Sequence, residues 1–325
     1  MDFHLEFSPK PFETAIRHRD HLFLAGSCFT ENIGAKLKQY KFSVLENPNG
    51  ILFNPISIAK SVTSYLENKQ YTQEDLFYQN ETWNSWEHHS RFSHPDKKEC
   101  LRMINASQTL AHDYLGSANW VMLTLGSAFV YELDNKQVVA NCHKVPTDKF
   151  NKRLLSVEEV LSALDNVMHR LFLFNPNLKI IFTISPVRHL RDGFIENNRS
   201  KAVLIQAVHH MINKFSKLFY FPAYELVIDD LRDYRFYAED MVHPNYAATN
   251  YVWDKFVVSC IDEPSQKLMK EINEINAAKS HKVFNPSSEQ HKKFLQINLD
   301  KVMKLKIAHP YIDLKEEEVY FTKRN

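Results

Sequence analysis

Continuous apolar runs alternate along the chain with stretches whose apolar residues recur every three or four positions. The run HLFLAG (21–26) predicts a strand, and Phe29, Ile33 and Leu37 behind it, four apart, predict an amphipathic helix. FSVLEN (42–47) predicts a short second strand ending in the turn NPNG, and ISIAKSVTSYLEN (56–68) a helix. WVMLTLG (120–126) and KIIFTIS (179–185) are further fully apolar strands, with YELVID (224–229) expected as the last. Helices are expected near 156–173 and 197–219. Fully apolar strands separated by helices argue for a parallel sheet covered on both faces. The expected fold is therefore α/β, a three-layer α/β/α domain with a parallel sheet of about five strands. In such sheets ligands bind beyond the carboxyl ends of the strands, where Gly26, Gly126 and Ser185 fall.

Two stretches break this rhythm. An insertion is expected around 80–115, its first part NETWNSWEHHSRFSHPD (80–96) being aromatic and polar without a period. AFVYELDNKQVVANCHKVP (128–146) alternates, turns at Asp134-Asn135 and alternates again, which predicts a hairpin returning Asn141 and His143 toward Gly126. After about 262 the chain becomes charged and helical. The expected division is a domain over 1–261 and a helical C-terminal extension over 262–325 packed on it.

Composition narrows the function. The chain has 325 residues, long enough for a substantial core, and a formal net charge of +1. No global field draws nucleic acid or an anionic membrane, so neither is an expected partner. Cys28, Cys100, Cys142 and Cys260 form no CxxC pair, so neither a disulfide framework nor a structural zinc site is expected. No cofactor is implied. There is no apolar leader and no 18-residue apolar run, and a cytoplasmic location is the expectation. Only 6 glycines occur where average usage would give roughly 23. A chain this sparing keeps glycine where the backbone needs it.

Ser27 and Cys28 stand at the exit of the first strand. A nucleophile there faces the open end of the sheet, and the helix N-terminus behind it offers free N–H groups to a developing oxyanion. Adjacent residues in such a turn point different ways, so only one can face a pocket; Ser27 is the expected nucleophile and Cys28 the packing residue. Far along the chain, AEDMVHPNYAATNYVWDKF sets Asp240 and His243 three apart, before a helix expected to start near Pro244. A carboxylate there can accept from imidazole Nδ1–H and leave Nε2 as a base. Together Ser27, His243 and Asp240 have the composition of an acyl-transfer triad.

These motifs carry a resemblance. Gly-Ser after the first strand and Asp-x-x-His-Pro-Asn before the last helix resemble the SGNH (GDSL-type) hydrolases. GSCFTENIG, NPNGILFNP, TLGSAFVYE, VVANCHKVP, ISPVRHLRDGFIENNRSK and DMVHPN together resemble the GSCFA family within that superfamily, over residues 26 to about 250. Thr30 replaces the alanine that ends the name motif. The resemblance implies a flavodoxin-like hydrolase fold, with Ser27 as nucleophile and Asp240 and His243 completing the triad. It implies oxyanion donors at the Ser27 backbone and at Gly50. The third donor of the superfamily is an asparagine, whose position here is Ala128. Asn141 is the expected replacement and Asn54 the alternative.

Further residues are candidates for substrate binding: Arg188 and His189 after the fourth strand, His143 on the hairpin return, and Trp86. Arg188 suits a carboxylate or phosphate, or else pairs with Asp192 or Glu196. Trp83, Trp86 and Phe92 form an aromatic wall or anchor the insertion. His88, His89 and His94 with Asp96 lack ligand spacing, and no metal site is expected. The resulting expectation is a serine esterase that removes a small acyl group from an alcohol or carbohydrate. An acyltransferase using the same triad, or a non-catalytic glycan- or partner-binding module, are the rivals.

Overall fold

A computed structural model describes residues 4–282 and 284–322. The outer ends of the two expected regions, 1–3 and 323–325, lie outside the described residues. In chain order the first half contains β1 (His21–Gly26), α1 (Cys28–Gln39), β2 (Ser43–Glu46), α2 (Pro55–Leu66), β3 (Phe77–Gln79), β4 (Thr82–Asn84), α3 (Lys97–Ser117) and β5 (Trp120–Leu125). There follow β6 (Phe129–Glu132), β7 (Val138–Val139), β8 (Asn151–Leu154), α4 (Val157–Phe174), β9 (Lys179–Ile184), α5 (Gly193–Lys214), β10 (Leu218–Tyr220), the short α6 (Ala223–Glu225) and α7 (Tyr246–Cys260). The chain ends in α8 (Glu263–Lys279), α9 (Glu289–Ala308) and α10 (Lys315–Thr322).

The central sheet has five parallel strands in the order β10-β9-β5-β1-β2. The chain runs from β1 outward to β2, then returns to the other side of β1 through β5. The order reverses between β1 and β5, the position at which sheets of this kind bind ligands. Alternate side chains serve opposite faces. Phe23, Ala25, Leu123, Phe182 and Ile184 pack with α2, α4 and α5, while Leu22, Leu24, Met122 and Ile181 pack with α1 and α7. Both faces are therefore covered, which is why β1, β5 and β9 read as unbroken apolar runs.

Two expectations are corrected, and a third is extended. YELVID (224–229) is not a strand: α6 leads into a π-helical turn at Leu226–Leu231. Leu226, Val227, Asp230 and Leu231 turn inward there, with Asp230 accepting from Tyr251 Oη at 2.8 Å. The fifth strand is instead β10, within the segment expected as the end of a helix. Residues 97–115, taken above with the insertion, form most of α3, whose Ala111 and Leu115 enter the main core. The 128–146 hairpin is present as β6 and β7, but β8 adds a third antiparallel strand on the far side of β6. Its sequence, NKRL, has no apolar alternation to reveal it.

Helices α8, α9 and α10 gather around their own apolar cluster of Leu268, Ile272, Val302, Leu305, Leu314 and Phe321. They are tied to the sheet domain by Lys41 Nζ on the nearly buried Glu317 at 2.9 Å and by Asn276 Nδ2 on Gln39 O at 2.9 Å. No helix of the described residues is long and apolar enough to cross a membrane.

Gly26 is the point where strand becomes helix. Its φ is +142°, and a Cβ there would stand 2.2 Å from Thr124 O. The backbone strain and the clash act together. Gly26→Ala is therefore expected to cost roughly 2–3 kcal/mol, read as a fall in the urea midpoint against wild type.

Candidate active site

Ser27 ends β1 and caps α1. Its backbone is extended (φ −70°, ψ 174°), and its Oγ accepts from Phe29 N at 3.3 Å. The residue is almost fully buried. Its neighbours are fixed by backbone pairing. Ser27 N donates to Thr124 O at 3.1 Å, Asn47 N to Leu24 O at 2.8 Å, and Gly26 N to Asn47 Oδ1 at 2.9 Å. Leu52 N then donates to Gly26 O at 2.9 Å, while Phe53 O accepts from Gly126 N and Ser127 N. The segment after NPNG thus crosses the ends of both β1 and β5. Cys28 is half-buried, and burial pushes its thiol above the ordinary value. That disfavours the thiolate, the reactive form of a cysteine.

Asp240 and His243 do meet. His243 Nδ1 lies 2.6 Å from Asp240 Oδ2, while Asp240 Oδ1 accepts from His243 N at 3.0 Å and Val242 N at 2.9 Å. Donation from the His243 backbone, then from its ring and from Val242 N, holds the Asp240 carboxyl down at about 2. Both side chains are about half exposed. Met241 between them has φ +57°. Helix α7 begins later than expected: Asn245 is the cap, its Oδ1 accepting from Ala248 N at 3.1 Å, and Pro244 precedes it. Among the described residues His243 Nε2 has no hydrogen-bond partner, and no hydrogen bond joins Ser27 to His243. Asp240 and His243 form a hydrogen-bonded pair, and Ser27 is not bonded to it.

The expected oxyanion donors are already engaged. Ser27 N–H is bound as above, and Gly50 N–H donates to Asn47 O at 2.7 Å within its own turn. Gly50 has φ +83°, and a Cβ there would stand 2.1 Å from His89 Cβ, so glycine is required for local backbone reasons. Asn141 Oδ1 accepts from His143 N at 2.8 Å, and Asn54 Oδ1 caps α2 on Ser57 N at 2.8 Å. Both asparagines line a cavity of about 430 Å³ together with Phe53, Phe129, Tyr131, Lys152 and His189. Ser27 and His243 are not among the residues that line it.

The substrate-binding candidates separate. His189 is at the cavity wall. Its ring stands edge-on to Phe53 with centroids 5.4 Å apart, and its Nε2 is buried without a partner among the described residues. Burial, then Lys201, His243 and Lys152, push it down to about 4. His143 turns away: Nε2 lies 2.8 Å from Ser85 O, and the ring packs against Phe77. Trp86 stacks on Phe77 at 3.7 Å and meets Phe150 edge-on. Phe92 is buried in a cluster with Tyr71, Leu76, Cys100 and Ile104, and Trp83 packs against it. These aromatics hold the 77–94 segment down. Arg188 pairs with neither Asp192 nor Glu196, which bind Lys152 and Arg199 instead. Its guanidinium lies 4.0 Å from the Tyr237 ring centroid and 5.0 Å from that of Tyr234, a cation–π arrangement. Its backbone N donates to Val242 O at 3.2 Å.

Lys201 was given no role by its sequence. It is fully buried on α5, and its Nζ donates to Gly126 O at 2.6 Å and Ser185 O at 2.7 Å, joining the carboxyl ends of β5 and β9. Burial pushes it down to about 7. The signal was available: Lys201 shares one helical face with Leu204, Val208 and Met211, so a lysine stands on an apolar stripe. Between about pH 7 and its ordinary value of 10.5, the unfolded chain holds a proton here that the folded protein has released. Stability should rise with pH across that window, the full burial penalty being present below it. Urea unfolding at pH 7, 8 and 9 is expected to show this gain in wild type and a flatter profile in Lys201→Met.

Residues 21–256 match the model of the GSCFA family, and residues 272–325 match that of the GSCFA domain protein, C-terminal domain. No curated protein matches the chain. Among solved structures, a Streptococcus pneumonia protein provisionally described as a platelet activating factor is 14% identical, over 74% of this chain and 82% of that one, with a TM-score of 0.38. A carbohydrate esterase family 3 protein from Talaromyces cellulolyticus is 10% identical, over 78% of this chain and 99% of that one, with a TM-score of 0.36. An acetyl esterase variant solved with acetate ion is 9% identical, over 79% and 99%, with a TM-score of 0.36.

Proposed function

The chain belongs to the GSCFA family, and on that premise we propose that it is a serine hydrolase, an esterase that removes a small acyl group from an alcohol or carbohydrate. The observation that carries the reading is the Asp240–His243 pair at 2.6 Å, with Nε2 bound by no group among the described residues, together with a serine that caps a helix at the sheet's switch point. Residues 1–261 form the hydrolase domain in this reading and 262–325 an appended helical domain. A cytoplasmic location and a small-molecule or carbohydrate acyl ester fit it.

In the reaction Ser27 Oγ attacks the ester carbonyl carbon and passes its proton to His243 Nε2. Asp240 holds Nδ1–H and balances the imidazolium, its carboxylate staying ionised because the His243 N–H and ring and Val242 N–H bind it. Collapse of the tetrahedral intermediate breaks the carbon–alcohol bond, and His243 returns the proton to the leaving oxygen. Water then gives a proton to His243 and attacks the acyl-serine; the acyl carbon–Oγ bond breaks, His243 returns the proton to Ser27 Oγ, and the acid is released. Attack requires the Asp240–His243 turn to draw in over Ser27. Catalytic hydrogen bonds that tighten only with substrate present are common.

Labelling with a fluorophosphonate probe and mass spectrometry of the modified peptide tests this. The expected adduct lies on Ser27 in wild type, persists in Cys28→Ser and disappears in His243→Ala. A folded wild-type protein without an adduct at Ser27 would overturn the reading.

A further inference from the structure

An ester hydrolase must stabilise the negative charge that forms on the carbonyl oxygen, and donors aimed at it are worth most when nothing else engages them. Here the two backbone donors expected for that task, Ser27 N–H and Gly50 N–H, are bound to Thr124 O and Asn47 O. Neither is free without rearrangement of the sheet end or the turn. A different donor is free. Among the described residues His189 Nε2 is buried and unpartnered, in a residue that lines the 430 Å³ cavity beside Asn54 and Asn141.

Its position relates it to Ser27 through one strand end. Thr124 O accepts the Ser27 N–H, and Gly126 lies two residues further along the same strand exit. A Cβ on Gly126 would stand 3.4 Å from His189 Nε2 and 3.2 Å from Phe53 Cδ1. The absent side chain thus leaves the ring lying against the backbone just past β5. The ring is held from its own backbone, His189 N donating to Asn197 Oδ1 at 2.9 Å, and by the edge of Phe53.

The surroundings decide its charge. Burial first, then Lys201 from α5, His243 from the turn before α7 and Lys152 from β8, oppose a positive charge on the imidazole. The acidic residue nearest in sequence, Asp192, is taken by Lys152. A neutral imidazole with its hydrogen on Nε2 is a donor that cannot act as an acid by mistake.

We propose that His189 donates Nε2–H to the oxyanion formed when Ser27 attacks the substrate carbonyl. The inference rests on the serine-hydrolase reading above. It assigns the two histidines opposite duties: His243 moves protons, and His189 keeps its own while holding the charged oxygen.

The test is hydrolysis of p-nitrophenyl acetate by wild type, His189→Ala and His189→Asn, with fluorophosphonate labelling of Ser27 in wild type and thermal melting of all three. His189→Ala is expected to lose about 10²–10³-fold in kcat with KM changed less than about threefold. His189→Asn, which keeps an N–H donor, is expected to recover at least about tenfold of that loss. If His189→Ala does not fold, the ¹⁵N shift of His189 Nε2 in wild type, before and after phosphonylation of Ser27, decides: a change supports the proposal and none overturns it. Labelled Ser27 with a fully active His189→Ala overturns this inference alone. Equal losses in both variants overturn it in favour of a packing role. A wild type that neither turns over ester nor labels at Ser27 overturns it together with the hydrolase reading.

Discussion

Among the described residues Lys201 Nζ has no counter-ion. It binds the backbone of two neighbouring strands instead, Gly126 O at 2.6 Å and Ser185 O at 2.7 Å. Strand ends in a parallel sheet diverge, and their last carbonyls have no further strand to bind. A buried nitrogen spanning two of them fixes where the loops after β5 and β9 begin. Those loops carry Ser127 and His189, and so the shape of the cavity. The helix that supplies the nitrogen also supplies Ser200, whose Oγ accepts from Ala128 N at 2.7 Å. One turn of α5 therefore sets the geometry of the open end of the sheet. A group so costly to bury persists only where its hydrogen bonds are complete enough to offset part of that cost.

Much of this was legible in the chain. β1, β5 and β9 are apolar on both faces, and glycine or serine marks where each ends, so their existence and their open ends could be read together. The Asp240–His243 pair follows from spacing alone, since three residues in a tight turn bring a carboxylate to an imidazole. What escaped is instructive in its kind. β10 was hidden because LFYF continues the apolar spacing of the helix before it, and period cannot separate a buried short strand from a buried helix end. β8 was hidden because NKRL is held by hydrogen bonds to β6 and not by burial.

The site shows the same limit. Arg188 was weighed against acidic residues within eight positions, but its partners are the rings of Tyr234 and Tyr237, brought by a loop more than forty residues on. Trp86 and His143 look like ligand-binding residues in a polar aromatic stretch. Tertiary contact engages them with each other and with Phe77, because an insertion carrying just the short β3–β4 pair needs a small core of its own. The oxyanion donors illustrate a third case. An N–H group at a strand end or turn is free in the sequence and bound in the fold, and only the accounting of hydrogen bonds tells which.

The bond from Arg188 N to Val242 O joins the loop after β9 to the turn before α7, and the stacked guanidinium reinforces it. His189 and His243 sit one residue beyond either end of that bond. The two imidazoles therefore hang on segments tied by one backbone bond, so that a shift of either segment pulls on the other.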